Sequence, residues 1–490
     1  MKLIFITSLF LVTISNISAQ KNDSPGLQII KTTDLKKDLY EFADAKFKGR
    51  SAGTIDELKA AAWLAEKYRA IGIKPAGDDG TYFQYFTLWR NHISPQSTFY
   101  INEKPVTFWK DVAVAQMAQV QIDAPIIYLG NVHDVENSSI DVKGKVVAIE
   151  ADKKDINLNI SLPTWRYNRA IFTKYGLPLQ QKGAVAIIFL ADETAENAWE
   201  DANENFERGT YDIQGGANEN LSTTVPVFWL HANMKNILQQ NNSTLKTNII
   251  VSKFGYPSVN VVGKIDGTDA KLKSEYLLYS GHTDAHGIRN EIKNDSIFYG
   301  ADDNGSVNVA MLANARSFVK YPAKRSVLFV IHGAEERGLL GSKYYTQHPT
   351  VPLKSIVAVL NGDMIGRNHI DSATILGSIL PHRNSADLVN MAFAANNEGP
   401  KFILDSTWDK VTHVEGWYFR SDHLPYARLG IPSIMYTTLL HPDYHTPQDN
   451  AQNINYLKLK KVADWMYRTG YKVANAPVRP ATDKNFKLER

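Results

Sequence analysis

Residues 332–342 read HGAEERGLLGS and directly follow the apolar stretch 326–331, SVLFVI. An apolar run of this length, bounded by turn signals, is typical of a buried β-strand. A strand that leads through a turn into a helix presents its last residues at the carboxyl edge of the sheet, where open α/β folds bind ligands. At that edge one of Glu335 and Glu336 could hold a cation while its neighbour moves protons. Both acids could equally be solvated residues at a helix start, where the helix dipole favours negative charge.

Strand and helix patterns alternate in the second half of the chain, after Pro257. Strand patterns lie at 276–280, 326–331, 355–360 and 432–436, and helix patterns end near Phe318, Gln347 and Val473. Such alternation predicts an α/β fold, with a mixed, largely parallel sheet that is covered by helices on both faces.

The N-terminal segment 32–88 carries two helix patterns that are joined by a turn. Thr54 and Glu57 form a capping box ahead of the second helix. The turn at 49–53, GRSAG, contains Arg50, which we expect in a solvated loop.

A different pattern of short β-rich runs with polar connections occupies residues 125–252. Its strand patterns are at 145–149, 184–190 and 225–230. The stretch 193–211 is acidic, and we expect it to be an irregular excursion. These features predict a small separate α/β module without a concentration of metal-binding residues.

Length, charge and targeting signals restrict the class of protein. A chain of 490 residues exceeds one ordinary compact core, so two domains or one interrupted domain is expected. Lys plus Arg number 54 and Asp plus Glu number 51, which gives no electrostatic basis for nucleic-acid binding. Residues 1–19 have the pattern of a secretory signal peptide. Their apolar run is shorter than the ~20 residues of a permanent membrane anchor, so we expect a periplasmic or secreted protein. The sequence leaves its oligomeric state undetermined.

Five potential metal ligands stand where a predicted strand ends or a helix begins. They are His282, Asp303, Glu336, Asp363 and His445. Each alone has a simpler interpretation as a helix cap, a turn residue or a hydrogen-bonded loop histidine. Together they suit a pair of divalent first-row ions, zinc first, and because the chain has no cysteine, His and carboxylates would have to supply every ligand.

The ordered motifs SGHTD, GADDNGS, GAEERGLLGS, LNGDMIG and YHTPQDN resemble those of the secreted co-catalytic di-zinc aminopeptidases. The resemblance implies a phosphorylase/hydrolase-like zinc exopeptidase domain, discontinuous over 25–110 and 255–475. The segment 120–252 resembles the protease-associated domain often inserted in secreted peptidases. Residues 476–490 would form a C-terminal tail.

The resemblance also implies roles for individual residues. His282 and Asp363 would bind one Zn²⁺, Glu336 and His445 a second, and Asp303 would bridge the two ions. Glu335 would act as general base and acid, Asp284 would orient His282, and Tyr444 would hydrogen-bond the developing oxyanion. Arg420, Asp422 and His423 match a recurring family segment, which we assign to the substrate pocket or the surroundings of the ligands.

Several functions remain open at the level of sequence. An aminopeptidase acting on peptides with a free N-terminus is favoured, because the three acidic ligands and Glu335 suit a substrate ammonium group. A single-zinc glutaminyl cyclase, a glutamate-releasing carboxypeptidase and a non-catalytic scaffold are the alternatives. Arg337 and Arg420 are the nearest candidates for clamping a terminal carboxylate.

Overall fold

The computed structural model of the chain describes residues 24–131, 139–153, 165–216, 224–413 and 415–489. The signal peptide expected at 1–19 lies outside these ranges. Within them, every helix is too short or too polar to cross a membrane.

A ten-stranded mixed sheet forms the centre of the larger unit. Nine strands follow one another in space in the order Ile403–Leu404, Ser372–Leu376, Ser433–Thr437, Ile356–Gly362, Tyr276–His282, Ser326–His332, Val251–Ile265, Phe83–Ile93 and Thr210–Ile213, and Lys74–Pro75 pairs beside Val251–Ile265. The four strands predicted in the second half of the chain are present, and they form the parallel middle of this sheet.

The expectation of a largely parallel sheet is wrong. Val251–Ile265 pairs antiparallel with both Ser326–His332 and Phe83–Ile93, and Ser372–Leu376 pairs antiparallel with Ser433–Thr437. Phe83–Ile93 leads into the second module and Val251–Ile265 returns from it. Because the chain leaves the larger sheet along one of these strands and returns along its neighbour, the two strands run antiparallel. The sheet is therefore mixed.

Helices cover both faces of the larger sheet, as expected. Alternate side chains of one strand point to opposite faces, so Leu277 and Tyr279 pack with Leu312 in one core, while Leu278 packs with Tyr345 in another. The helices of this unit are Thr32–Phe42, Ile55–Ile71, Val307–Lys320, Leu340–Gln347, Ala386–Glu398, His423–Arg428 and Tyr456–Asn475.

An eight-stranded sheet organises the segment between the two long strands. Its spatial order is Lys104–Pro105, Thr98–Ile101, Thr244–Ile249, Val120–Tyr128, Val146–Glu150, Ala186–Leu190, Val227–Leu230 and Val112–Gln116. Helices Trp165–Ile171, Leu177–Gln181 and Lys235–Leu238 accompany it. Residues 98–105, which the sequence pattern grouped with the peptidase segment, pair within this second sheet.

The stretch 193–211 is not irregular, contrary to expectation. It forms the helices Glu193–Asn197 and Trp199–Glu207 and then the edge strand Thr210–Ile213 of the larger sheet. Ala195, Ala198 and Ala202 recur at helical spacing and are buried. The acidic residues between them masked this period in the sequence.

The C-terminal residues after Asn475 pack back onto the larger unit. Asp483 accepts hydrogen bonds from the backbone N–H of Ala386 and from Arg383, and Glu489 lies 2.9 Å from Nε2 of His382. The tail is therefore part of the folded structure.

Candidate metal centre

Three neighbouring strands deliver the central residues of the site to one edge of the sheet. His282 ends its strand in register with His332, the last residue of the adjacent parallel strand. Asp363 directly follows Ile356–Gly362, the neighbour on the other side. Because parallel strands end at the same edge, residues distant in sequence come within contact distance.

The turn after His332 is held by residues in left-handed conformation. Ala334, Gly338 and Leu339 have φ values of 53°, 109° and 60°. The carboxylate of Asp284 accepts the backbone N–H groups of Glu335 at 3.0 Å and Glu336 at 3.2 Å. The two glutamates thus occupy a short turn ahead of the helix Leu340–Gln347, and the Asp284 carboxylate fixes the backbone of that turn.

Asp284 was expected to orient His282, but it also contacts the turn that carries the two glutamates. Nδ1 of His282 lies 3.1 Å from the backbone oxygen of Asp284 and 3.7 Å from its carboxylate. The carboxylate points instead to the glutamate turn, so one residue positions both segments.

Asp303 is presented by a loop fixed from the other end of the chain. The carboxylate of Asp449 accepts the backbone N–H groups of Asp302 at 2.8 Å and Asp303 at 3.1 Å. The peptide bond between Asp303 and Asn304 is cis. Asp302 points away from the centre, where it accepts the N–H of Gly366 at 2.6 Å. Of the two acids, Asp303 faces the other candidate ligands.

The two carboxylate oxygens of Asp303 face different histidines. Its Oδ1 lies 3.2 Å from Nε2 of His282, and its Oδ2 lies 3.1 Å from Nε2 of His445. Asp363 lies 3.9 Å from His282, and Glu336 lies 3.3 Å from His445. All five candidate ligands are thus brought together around Asp303.

His286 also belongs to the cluster, although the sequence interpretation did not select it. Its Nε2 lies 3.2 Å from Glu336, and its ring centroid is 3.9 Å from that of His445. The spacing HTDAH places it four residues after His282 in a loop, and no regular period links the two. The only signal in the sequence was a second histidine near the first.

Two sets of side chains could each hold a cation. His282, Glu335 and Asp363 form one, and His286, Glu336 and His445 form the other; in each, the donor atoms lie within 4.8 Å of one another. Nε2 of His282, Nε2 of His286 and Oε1 of Glu336 are buried, and although polar atoms of other candidate ligands lie nearby, no described residue meets them in hydrogen-bonding geometry. Buried donor atoms that converge on shared centres in this way fit divalent ions bound by nitrogen and oxygen.

The adjacent glutamates have opposite electrostatic environments. Burial raises the pKa of Glu335 well above its ordinary value, and the nearby acids add to the effect. Burial would also raise the pKa of Glu336, but His286 and His445 outweigh it and hold that pKa well below its ordinary value. Two histidines therefore hold Glu336 in its charged form, whereas the single histidine near Glu335, His282 at 3.8 Å, does not offset the effect of burial.

Arg50 is buried, and the expectation of a solvated loop is wrong. Its guanidinium donates to the backbone oxygens of Thr283 at 2.9 Å, Tyr299 at 2.7 Å and Gly300 at 2.9 Å. Burial lowers its pKa to about 10, against the attraction of the surrounding aspartates. Arg50 thus ties together the loops that carry Asp284 and Asp303.

The remaining expected site residues lie at different distances from the centre. The ring of Tyr444 stacks on the imidazole of His445 with centroids 3.5 Å apart. Asp422 is buried behind the cluster, where it raises the pKa of Glu335 and its own pKa is raised by burial to about 7. Arg420 pairs with Glu415 at 2.8 Å. His423 is buried and packs edge-on against Tyr418 with ring centroids 4.9 Å apart.

Comparison with known proteins relates this chain to peptidases. Residues 260–469 match the model of Peptidase family M28. The aminopeptidase YwaD of Bacillus subtilis is 27% identical over 284 residues, which cover 52% of this chain and 60% of that protein. A probable leucine aminopeptidase of Arthroderma otae is 29% identical over 244 residues, which cover 44% of this chain and 64% of that protein. The chain thus spans less than two thirds of the length of these relatives.

Solved structures extend the likeness of fold to nearly the whole chain. An aminopeptidase from Aneurinibacillus sp. strain AM-1 matches with a TM-score of 0.59 at 19% identity, covering 94% of this chain and 98% of that one. BSAP, a zinc aminopeptidase from Bacillus subtilis, matches with a TM-score of 0.57 at 20% identity, covering 94% and 99%. Residues 260–469 of this chain are thus similar to peptidase family M28, and the solved aminopeptidase structures share the fold of nearly the whole chain.

Proposed function

We propose that this protein is a metal-dependent exopeptidase that hydrolyses the first peptide bond of peptides with a free N-terminus. The observation that carries the proposal is the pair of candidate ligand sets with Asp303 between them. The names of the aminopeptidase relatives support the same reaction class.

The proposed cofactor is two Zn²⁺ ions per chain. His282 and Asp363 would hold one ion and Glu336 and His445 the other, and Asp303, whose two carboxylate oxygens face both sets, would contribute to both. Glu335 lies 3.8 Å from His282 and remains available for proton transfer. His286 adds a nitrogen to the second set, which supports two ions over one.

The ions would polarise the scissile carbonyl and acidify a shared water molecule. Glu335 accepts the proton of the attacking water and then delivers it to the departing amine. The hydrogen bond that the backbone N–H of Glu335 donates to the Asp284 carboxylate keeps Glu335 in place during this transfer. Tyr444 would donate a hydrogen bond to the oxyanion beside His445, and Arg420, Asp422 and His423 would surround the pocket.

The second sheet is proposed to be the protease-associated insert, with its strands between residues 98 and 249. It narrows access to the ligands, so that chain ends enter more readily than internal segments. Export through the signal peptide at 1–19 to the periplasm or the exterior belongs to the same proposal.

A single-zinc glutaminyl cyclase and a glutamate-releasing carboxypeptidase are the alternative reactions. A cyclase needs only one of the two ligand sets, whereas a carboxypeptidase needs a cation that binds the substrate's terminal carboxylate.

Modified hexapeptides test the direction of attack. Acetylation of the N-terminus should abolish release of the first residue by the zinc-loaded chain, and amidation of the C-terminus should change the rate little. In an extended hexapeptide the terminal carboxylate lies about 16 Å from the first bond, beyond direct contact with the reacting group. Liquid chromatography of the products measures both rates. The reverse pattern would exclude the aminopeptidase and favour the carboxypeptidase.

A further inference from the structure

A cleft beside the metal ligands is lined by an excess of cations. Its volume is about 530 Å³, and its walls include His286 of the ligand cluster. Five basic and three acidic side chains line it. The basic ones are Lys48, Arg90, Arg208, Arg289 and Arg337.

Two of these arginines also line a second cavity of about 360 Å³. Arg208 and Arg337 line both cavities together with Tyr211, and Glu336 lines the second. Since Glu336 and His286 contact each other in the ligand cluster, the two arginines lie next to the reaction centre.

Both guanidinium groups retain unused donors. Nη2 of Arg208 and Nε of Arg337 are buried, and neither has a hydrogen-bond partner within the described ranges. Arg337 is held by a hydrogen bond to Oγ of Ser51 at 3.0 Å and lies over the ring of Tyr211 at 5.1 Å. A buried guanidinium with unpaired donors is costly unless an anion joins it.

Nearby acids do not supply that anion directly. Glu204 and Asp201 each lie 3.2 Å from Arg289, which they neutralise. Burial, together with the positive charges of Arg337 and Arg289, lowers the pKa of Arg208 to about 9, and Glu204 only partly opposes them. The cations therefore repel one another in the absence of a ligand.

The backbone of Arg208 is fixed by specific contacts. Its carbonyl accepts a hydrogen bond from Nε of Arg90 at 2.6 Å. Gly209 follows with a φ of 85°, and a Cβ there would lie 2.1 Å from the backbone oxygen of Asn91. The edge strand Thr210–Ile213 then pairs with Phe83–Ile93. Arg208 is thus held at the cleft by the larger sheet, although it follows a helix of the second module.

We propose that Arg208 and Arg337 form an anion subsite that binds a carboxylate group of the peptide substrate. The planar fork of arginine matches the two oxygens of a carboxylate. The carboxylate comes either from an acidic N-terminal side chain or from the C-terminus of a dipeptide. This inference rests on the proposed peptidase function and names the substrate class that the site prefers.

Two matched substrate pairs test the subsite with the zinc-loaded full chain. The first pair is glutamyl- and glutaminyl-para-nitroanilide, and the second is leucyl-leucine and its C-terminal amide. We expect the carboxylate form of at least one pair to have a kcat/KM about tenfold higher or more. The pair that responds identifies the source of the carboxylate.

Substitutions then connect that preference to the arginines. Arg208→Met should bring the ratio within the pair close to one. Retained turnover of leucyl-para-nitroanilide, which has no carboxylate for the subsite, shows that the variant is folded. Arg208→Lys keeps the charge without the fork and should retain part of the preference. Arg69→Met, at an arginine whose side chain is 63% exposed, should change neither rate.

A kcat/KM ratio below about twofold in both pairs, or a preference that survives Arg208→Met, would contradict the proposed subsite. Turnover of leucyl-para-nitroanilide in the same experiment would still support the peptidase proposal. If no substrate is cleaved, the peptidase proposal fails separately. Calorimetry then measures the affinity of each substrate of the two pairs for the zinc-loaded chain and for Arg208→Met. The ratio of affinities within a pair tests the subsite in the same way as the ratio of kcat/KM.

Discussion

At the level of single residues, Glu335 and Glu336 differ more than adjacent identical side chains usually do. Glu336 lies within 3.3 Å of His286 and His445, whereas Glu335 has His282 at 3.8 Å. Glu335→Gln should leave metal content unchanged and lower kcat by about two to four orders of magnitude, because it removes the proton carrier. Glu336→Gln should lose metal, because an amide is a poorer ligand than a carboxylate. Elemental analysis after dialysis, combined with kcat, separates the two effects.

Ser317→Ala, near the C-terminal end of the helix Val307–Lys320 and thus away from the end that follows Asp303, provides the control for expression and metal loading. Equal loss of metal in both glutamate variants would contradict the proposed division of roles. Full activity in Glu335→Gln would also contradict it.

Glu57 gives a prediction about pH and stability. It is buried, accepts hydrogen bonds from Ser258 and the N–H of Gly53 at 2.7 Å each, and burial raises its pKa from 4.5 to about 8. The folded state therefore holds this proton more tightly than the unfolded state. As pH rises from 4.5 to 8, the unfolded chain releases this proton while the folded chain keeps it. The free energy of unfolding therefore falls relative to that of a protein with a neutral side chain at this position.

Glu57→Gln should remove this loss. The free energy of unfolding of wild type relative to the variant should fall by about 1.4 kcal/mol per pH unit across that window. Urea unfolding of both proteins at pH 5, 6, 7 and 8, at a fixed zinc concentration, measures the slope. A difference that does not change with pH would show that Glu57 is ionised in the folded protein.

The sequence predicted the candidate ligands better than the residues that support them. His282, Glu336 and Asp363 could be selected because each stands at or just beyond the end of a buried strand, a position that periodicity reveals. Arg50 and His286 depend on how loops fold over one another, and no local period reports that. A buried arginine that binds only backbone oxygens has the same sequence appearance as a solvated one.

Among the elements, the strand, turn and helix around Gly333 leave no space for a larger side chain at that position. A Cβ at Gly333 would lie 2.6 Å from Oε1 of Glu57 and 2.6 Å from the backbone oxygen of Val259. Gly333→Ala should therefore destabilise the protein by about 1–3 kcal/mol and lower metal affinity, because the displaced turn carries both glutamates. Thermal unfolding and zinc titration measure the two effects.

Gly255→Ala is the milder comparison within a strand of the same sheet. A Cβ at Gly255 would have its nearest contact with the side-chain methyl of Thr87 at 3.0 Å, and that methyl group can shift. If Gly333→Ala were no more harmful than Gly255→Ala, the packing of the turn would not determine the site.

The sequence predicted whether a segment is a helix or a strand where its apolar residues follow a single clear periodicity. The strands Tyr276–His282 and Ser326–His332 are mostly apolar, and the sequence pattern placed their ends within two residues of those in the structure. The helix Trp199–Glu207 was missed because its buried face consists mainly of small residues between acids, which a hydrophobicity pattern detects poorly. That helix leads to Arg208, so the missed element carries the proposed subsite.

For the whole molecule, the two sheets are linked by the long strands Phe83–Ile93 and Val251–Ile265, which pair over eleven residues. Thr210–Ile213 then crosses from the second module to the edge of the larger sheet. The sequence pattern separated the two units but could not show this crossing, because pairing between distant strands is not encoded in local periodicity.

Metal removal tests how the ligand cluster contributes to the stability of the molecule. Asp303, Glu335 and Asp363 are buried close together, and without cations their charges are desolvated and repel one another. Ions that bind only the folded state stabilise it by RT ln(1 + [L]/Kd), about 4 kcal/mol at a thousandfold excess over Kd. We expect dialysis against a chelator to lower the unfolding temperature in scanning calorimetry. Stepwise addition of zinc should restore it with a break at two equivalents. Full recovery at one equivalent, with His445→Ala behaving like wild type, would instead favour the single-zinc cyclase.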